Sequence, residues 1–193
     1  MPHRRSHAFL LLAMSASCGA GAREPVRTGA SGSQPYTQAD VRFMQGMIHH
    51  HGQALTMTAL VADRTGGEAM RRLARRIEIS QKDEIAIMER WLERRGEAVP
   101  EGHHHGPLMP GMLTDEELAR LSGAAGVEFD RLFLELMIRH HEGALVMVED
   151  LFSSGGGQEP EIFQFVSHVD ADQRAEIARM RGMLSTPLQE DDE

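Results

Sequence analysis

The segment Met47-Ile48-His49-His50-His51-Gly52-Gln53-Ala54-Leu55-Thr56-Met57 occurs twice in this chain, the second time as Met137-Ile138-Arg139-His140-His141-Glu142-Gly143-Ala144-Leu145-Val146-Met147. A shift of 90 positions aligns both histidine pairs and also places Asp40 on Asp130 and Phe43 on Phe133. Self-similarity at a fixed spacing is the mark of an internal repeat. The chain is therefore interpreted as a duplication.

The sequence around each copy predicts helices. Apolar residues recur every three or four positions through both copies, which is the period of an amphipathic helix. Thr37, with Asp40 three positions later, predicts the first helix start, and Gly66 with Gly67 predicts its end. A second periodic run follows until Gly96. The same plan is predicted again over 127–152 and 160–185, after a short helix over 114–123.

These elements predict an all-α fold. Each long pair of helices is joined by a short turn, which predicts an antiparallel helical hairpin. Two duplicated hairpins with matching apolar stripes bury those stripes best against each other, so we expect an antiparallel four-helix bundle. No convincing alternation of apolar and polar residues predicts a strand.

The ends of the chain predict export. Residues 1–17 combine a basic start with a short apolar run, as a signal peptide does. Cys18 follows this run like the lipidated cysteine of a bacterial lipoprotein, and ordinary cleavage near Ala20 or Ala22 is the alternative. We therefore predict an exported protein in the periplasm, or an outer-membrane lipoprotein held to the membrane by Cys18. Residues 18–36 are predicted to be a flexible tether, 37–185 the bundle domain with a linker at 96–113, and 186–193 an acidic tail.

The composition argues against several classes of protein. The formal net charge is −9 and no stripe of Lys and Arg with interleaved aromatic residues occurs, so nucleic acid is not an expected partner. A single cysteine excludes an intramolecular disulfide framework. The chain nevertheless contains 13 methionines and 11 histidines, which a generic core does not require. Whether the chain forms a homo-oligomer is left open.

The duplicated segment contains the candidate metal ligands. Spacings of three, four and seven residues bring the histidine pair and its flanking methionines to one broad helix face. His49 is replaced by Arg139 in the second copy, so only the second and third histidines of the triplet belong to the duplicated feature. Imidazole and thioether together suit copper, especially Cu(I), although another transition metal is an alternative. The predicted ligands are Met47, His50, His51, Met57, Met137, His140, His141 and Met147.

A structural interpretation competes with metal binding. A methionine at helical spacing is usually a core residue, and a buried histidine pair can be a hydrogen-bonded hub whose ring nitrogens meet carboxylates. Glu84 and Glu176 occupy matching positions in the second helix of each hairpin, and we expect them to orient the histidines rather than to bind metal. In the linker, His103, His104 and His105 with Met109 and Met112 form a separate candidate for loose metal capture.

The doubled Met-Ile-x-His-His-x-x-Ala-x-x-Met segment, each copy followed by Gln-x-x-Glu-Ile-x-x-Met at 81–88 and 173–180, resembles the bacterial domain-of-unknown-function family numbered 305. The resemblance covers about residues 37–185. It implies a ferritin-like helical bundle, an exported location and, as in CopM-type members, binding of copper and silver ions. It also supports the eight candidate ligands named above.

Three functions follow from these patterns. The leading hypothesis is a non-catalytic protein that binds Cu(I) or Ag(I) for sequestration, transfer or resistance. The second is a structural or adaptor lipoprotein whose histidines and glutamates form a hub without metal. The third is a ferritin-like di-iron oxidoreductase, which would use Glu-x-x-His pairs on its helices. No such pair lies on the predicted helices, so we do not expect an enzyme.

Overall fold

The computed structural model describes residues 35–65, 67–101 and 108–185. Within these ranges every regular element is a helix, so the predicted all-α class is confirmed. The elements are α1 (Gln38–Ala59), α2 (Val61–Arg64), α3 (Glu68–Arg95), α4 (Asp115–Gly123), α5 (Gly126–Ser153) and α6 (Pro160–Leu184). The predicted signal peptide, most of the tether and the acidic tail lie outside the described residues.

Local capping explains where the helices begin and end. Thr37 and Asp40 form a reciprocal capping box at the start of α1, and Thr114 and Glu117 form another at the start of α4. Gly96 ends α3 in the left-handed conformation, with φ of 67°. These helix ends agree with the sequence prediction because each depends on residues within one turn of the chain.

The first long helix is shorter than predicted. It ends at Ala59, and the chain continues after Leu60 as the short helix α2. The Leu60 amide donates to the Met57 carbonyl, three residues back, and the Thr58 hydroxyl donates to the Leu55 carbonyl. Such bonds compete with the regular α-helical pattern and tighten the last turn. The periodicity therefore spans two helical pieces and not one.

The four long helices pack around two apolar clusters. α1 packs mainly on α3, α5 packs mainly on α6, and contacts between α1 and α5 join the two halves. One cluster contains Phe129, Phe133 and Ile77, and the other contains Trp91 and Met44. No described helix is sufficiently long and apolar to span a membrane.

Candidate metal centre

The duplicated histidines meet where α1 contacts α5. His50, His51 and His141 are completely buried, and His140 is 1% exposed. The ring centroids of His50 and His140 lie 3.9 Å apart, which brings the two copies of the motif into direct contact. Within each copy the neighbouring rings are 6.3 Å apart on α1 and 6.1 Å apart on α5. The structure thus gathers four imidazoles from residues about 90 positions apart into one buried layer.

A carboxyl group from the neighbouring helix contacts one histidine of each copy. The distance from His51 Nε2 to Glu84 Oε2 is 2.5 Å, and that from His141 Nε2 to Glu176 Oε2 is 2.6 Å. Both glutamates are themselves buried, with 6–7% of their surface exposed. Each hydrogen bond ties the first helix of a hairpin to the second and fixes the orientation of one imidazole ring.

The buried setting keeps His50, His51 and His140 neutral. Burial, reinforced by the neighbouring His51, lowers the pKa of His50 to about 3, against an ordinary value of 6.5. Burial, reinforced by His141, lowers the pKa of His51 to about 3 as well. Burial and the nearby His50 hold the pKa of His140 well below its ordinary value. A neutral imidazole keeps a lone pair on one ring nitrogen, which is the form that binds metals.

The environment of Glu84 favours its protonated form. Burial, together with the nearby carboxyl groups of Asp172 and Glu176, raises the pKa of Glu84 to about 8. At neutral pH the Glu84 carboxylic acid therefore donates to His51 Nε2. When Glu84 loses its proton, the direction of this hydrogen bond reverses and the lone pair of His51 is on Nδ1.

Each of the four histidines has one buried ring nitrogen without a hydrogen-bond partner among the described residues. These atoms are Nδ1 of His50, His51 and His141, and Nε2 of His140. Buried polar atoms are normally satisfied, and four such atoms in one layer are unusual. Those of the four nitrogen atoms that carry the lone pair of their ring fit the requirement of a metal ion that accepts imidazole ligands.

The described residues 35–65, 67–101 and 108–185 contain no group of three His, Cys, Asp or Glu side chains arranged to hold one metal ion. A site built from the described histidines and carboxylates alone would therefore have fewer than three protein ligands. Soft monovalent ions remain compatible with the layer, because they accept neutral thioether sulfur as a further ligand.

The predicted methionines divide between the two apolar clusters. Met47 belongs to one apolar cluster, and Met147 packs against that cluster. Met57 and Met137 belong to the other cluster. The sequence analysis grouped Met47 with Met57 because they share a helix face. In the structure Met47 shares a cluster with Met147, and Met57 shares the other cluster with Met137. Met47, Met57 and Met137 are completely buried, and Met147 is partly exposed.

A short segment of the linker crosses the histidine layer. We call residues 109–113 the strap. The Pro110 carbonyl of the strap lies 3.0 Å from His50 Nε2. The Gln53 side chain holds the far end of the strap by donating to the Leu113 carbonyl at 2.9 Å and accepting from the Leu113 amide at 2.7 Å. Pro110 and Gln53 were not predicted from the sequence, because the link between them and the histidines spans about 60 residues.

The linker candidates divide between described and undescribed residues. Met109 and Met112 belong to the strap and are partly buried. Met109 Sδ lies 3.3 Å from the point where a Cβ on Gly46 would be, and the terminal methyl of Met147 lies 3.5 Å from the same point. His103, His104 and His105 lie outside the described residues.

Comparison with known proteins gives the family. The family model described as "Domain of unknown function (DUF305)" matches residues 40–184, most of the chain. The chain belongs to this family. Among curated proteins, an uncharacterized protein of Acanthamoeba polyphaga mimivirus is 39% identical over 56 residues, a match that spans 37% of the length of that relative.

Solved DUF305 structures share this fold. A DUF305 fragment from Deinococcus radiodurans is 34% identical, with a TM-score of 0.69 and coverage of 79% of this chain and 99% of that one. A DUF305 protein of Streptomyces coelicolor, assigned as secreted, is 30% identical, with a TM-score of 0.68 and coverage of 76% and 92%. CopM in its Cu(II)-bound form is 29% identical, with a TM-score of 0.64 and coverage of 76% and 95%. CopM has also been solved with Cu(I) and with silver.

Proposed function

We propose that this protein is an exported, non-catalytic metal-binding protein that binds Cu(I) or Ag(I) through histidine and methionine. The observation that carries the proposal is the layer of four buried imidazoles, each with one ring nitrogen that has no hydrogen-bond partner within residues 35–65, 67–101 and 108–185. Binding of an ion would satisfy buried atoms that otherwise lower stability. Sequestration, transfer and metal resistance are the roles that such a protein would serve.

The chemistry of the side chains favours soft ions. His50, His51 and His140 are uncharged at neutral pH, and the four methionines are neutral thioethers. Neutral sulfur and imidazole suit Cu(I) and Ag(I), whereas Mg²⁺ and Ca²⁺ require hard oxygen ligands. The similarity to CopM, solved with Cu(I), Cu(II) and silver, supports the same choice. We propose the ligands to be Met47, His50, His51, Met57, Met137, His140, His141 and Met147.

Glu84 and Glu176 are proposed to orient ligands and not to bind the ion. Each carboxyl group contacts Nε2 of a histidine whose Nδ1 has no hydrogen-bond partner in the described part of the chain. A carboxylate that accepts from Nε2 leaves the lone pair of the imidazole on Nδ1, as is common for metal-binding histidines. At His51 this arrangement requires Glu84 in its ionised form.

The remaining parts of the proposal concern architecture and location. The short helix α2 lies between α1 and α3, a short connection joins α5 to α6, and the histidine contact joins the halves, which supports an antiparallel four-helix, ferritin-like bundle over 37–185. We further propose that residues 1–17 direct export, that Cys18 is lipidated, and that 18–36 tether the domain to the membrane. The assigned secretion of the Streptomyces coelicolor relative supports export.

The test is a titration of the domain under anaerobic conditions with Cu(I), Ag(I), Zn(II) and Fe(II). We expect saturable, stoichiometric binding of Cu(I) and Ag(I) by the wild type. The double variant His50→Gln/His140→Gln should lose most of this binding, because it removes the two rings at the centre of the layer. Replacement of His103, His104 and His105 by serine is the matched control, and it should retain the bundle site. Absence of stoichiometric Cu(I) and Ag(I) binding by the wild type would refute the proposal.

A metal-free structural hub is the second candidate. It is favoured by the two buried contacts of His51 with Glu84 and of His141 with Glu176, which link helices without any ion. In that case Ag(I) would leave the thermal unfolding temperature of the wild type unchanged, while His51→Gln would still destabilise the fold. Circular dichroism with and without Ag(I) separates the two functions.

A further inference from the structure

The two copies of the duplicated segment differ at positions that contact the strap and the helix that follows it. Gln53 of the first copy makes two hydrogen bonds with the backbone of Leu113, whereas the equivalent residue of the second copy is Gly143. Arg139 replaces His49 and makes two hydrogen bonds with the Glu117 carboxylate, at 2.6 and 2.7 Å. One strap crossing two equivalent helices accounts for these differences, because it meets α1 and α5 in different ways.

Gly143 lets the strap lie directly against α5. A Cβ atom at this position would be 2.0 Å from the Pro110 carbonyl oxygen and 2.7 Å from the Gly111 Cα. Both are backbone atoms, so the strap itself would have to move to accept any side chain. Gly111 is equally constrained, since its φ of 75° suits glycine and its Cβ would lie 2.5 Å from the Arg139 carbonyl oxygen.

The strap selects which nitrogen of His50 carries the proton. A carbonyl oxygen can only accept a hydrogen bond, so His50 Nε2 must be the donor to Pro110. A neutral ring has a single N–H, so the lone pair lies on Nδ1, the buried nitrogen that no described residue contacts by a hydrogen bond. His140, the equivalent residue of the other copy, has Nε2 as its unpartnered nitrogen. The two stacked rings therefore present different nitrogen atoms.

We propose that the strap is a positioning element that makes His50 Nδ1 the metal-binding nitrogen, and that Gly143 is the residue that permits this. The assignment of His50 Nδ1 as the metal-binding nitrogen rests on the proposed function. The fixed tautomer follows from the strap contact alone. The strap thereby makes the two halves of a duplicated site chemically inequivalent.

The test compares Gly143→Ala with the matched control Gly123→Ala, since a Cβ on Gly123 would meet no atom within 4 Å. Both proteins are prepared with ¹⁵N-labelled histidine and without metal. We expect the wild type and Gly123→Ala to show a single His50 tautomer, with the proton on Nε2. Gly143→Ala should show a mixture of tautomers, because the Pro110 carbonyl is displaced. Pro110→Ala retains the carbonyl and should retain the wild-type tautomer.

Titration with Ag(I) then tests the ligand assignment. Loss of an interaction that orients a ligand typically weakens metal binding by about 10–100-fold, and we expect this loss for Gly143→Ala but not for Gly123→Ala or Pro110→Ala. If Gly143→Ala does not fold, Gln53→Ala releases the Leu113 end of the strap without a clash and should change tautomer and affinity in the same direction.

The outcomes separate this inference from the proposed function. An unchanged His50 tautomer in folded Gly143→Ala and Gln53→Ala would overturn the positioning role, and so would a changed tautomer with wild-type Ag(I) affinity. If the wild type binds no Ag(I), the proposed function fails and with it the ligand assignment. The tautomer comparison then still decides whether the strap positions His50.

Discussion

Acidification from pH 6.5 to pH 4.5 is expected to remove much of the folding free energy of the metal-free protein. In the folded state burial lowers the pKa of His50 and of His51 to about 3 and holds that of His140 well below 6.5. In the unfolded chain these rings accept protons near pH 6.5. Their contribution to stability is therefore complete above pH 6.5 and is lost as the pH falls toward 3.

Glu84 acts in the opposite direction. Its pKa is raised from 4.5 to about 8 in the folded state, so its contribution is complete below pH 4.5 and is lost as the pH rises through 8. Each group changes the free energy of unfolding by about 1.4 kcal/mol per pH unit within its window. Between pH 4.5 and 6.5, His50 and His51 against Glu84 leave a net loss on the order of 1 kcal/mol for each unit of acidification, and His140 adds to this loss in the same direction.

The accumulated loss is on the order of 3 kcal/mol over this interval, which is a large part of the whole stability of a marginal domain. Between pH 6.5 and 8 the Glu84 contribution reverses the trend, so stability should be highest near pH 6.5. The assay is urea denaturation followed by circular dichroism at half-unit steps of pH, with a chelator present. The slope of unfolding free energy against pH is the quantity compared.

Two variants identify the responsible groups. His50→Gln removes one of the three histidines and should reduce the acid slope by about 1.4 kcal/mol per pH unit. Gln164→Ala changes an exposed residue without a titratable group and should leave the slope unaltered. A free energy of unfolding that stays constant or increases from pH 6.5 to 4.5 would refute the reasoning. Equal effects of the two variants would show that the buried layer is not its source.

Three further predictions follow from the same contacts. Glu84→Gln should abolish the fall in the free energy of unfolding between pH 6.5 and 8 in the same urea assay, whereas the exposed control Glu93→Gln should retain this fall. If the fall persists in Glu84→Gln, the Glu84 carboxyl group is not its cause. Asp40→Ala should lower the free energy of unfolding by about 2–4 kcal/mol in urea denaturation at pH 6.5, because Asp40 caps α1 and also accepts a hydrogen bond from the Gly157 amide at 2.6 Å. A decrease below about 0.5 kcal/mol would contradict this role of Asp40. Ag(I) at a hundredfold excess over its Kd should stabilise the wild type by about 2.7 kcal/mol in thermal unfolding, and removal of the ion by a chelator should reverse the shift; His50→Gln/His140→Gln should show neither change.

Much of the helical framework could be predicted from the sequence because it depends on local interactions. The boxes formed by Thr37 with Asp40 and by Thr114 with Glu117 each lie within four residues, so the pattern alone places the helix starts. The end of α1 was less predictable, since the bond from Thr58 to the Leu55 carbonyl competes with a helical pattern that the apolar period would continue.

The histidine layer could be predicted only in part from the sequence. The internal repeat identified His50, His51, His140 and His141, because a polar pair that recurs on an apolar helix face in both copies indicates the same role in each copy. The contacts of the strap could not be predicted from the sequence. Its contacts with His50 and Gln53 join residues about 60 positions apart, and no local pattern encodes such a pairing.

By itself, the sequence determined that this protein is an all-α duplication whose two copies carry matching histidine pairs, since helical period and capping act over a few residues. Only the tertiary structure decided that His50 stacks on His140, that burial keeps both rings neutral, and that the Pro110 carbonyl selects the proton-bearing nitrogen of His50. These properties depend on desolvation and on contacts between distant segments, which exist only after the helices have packed.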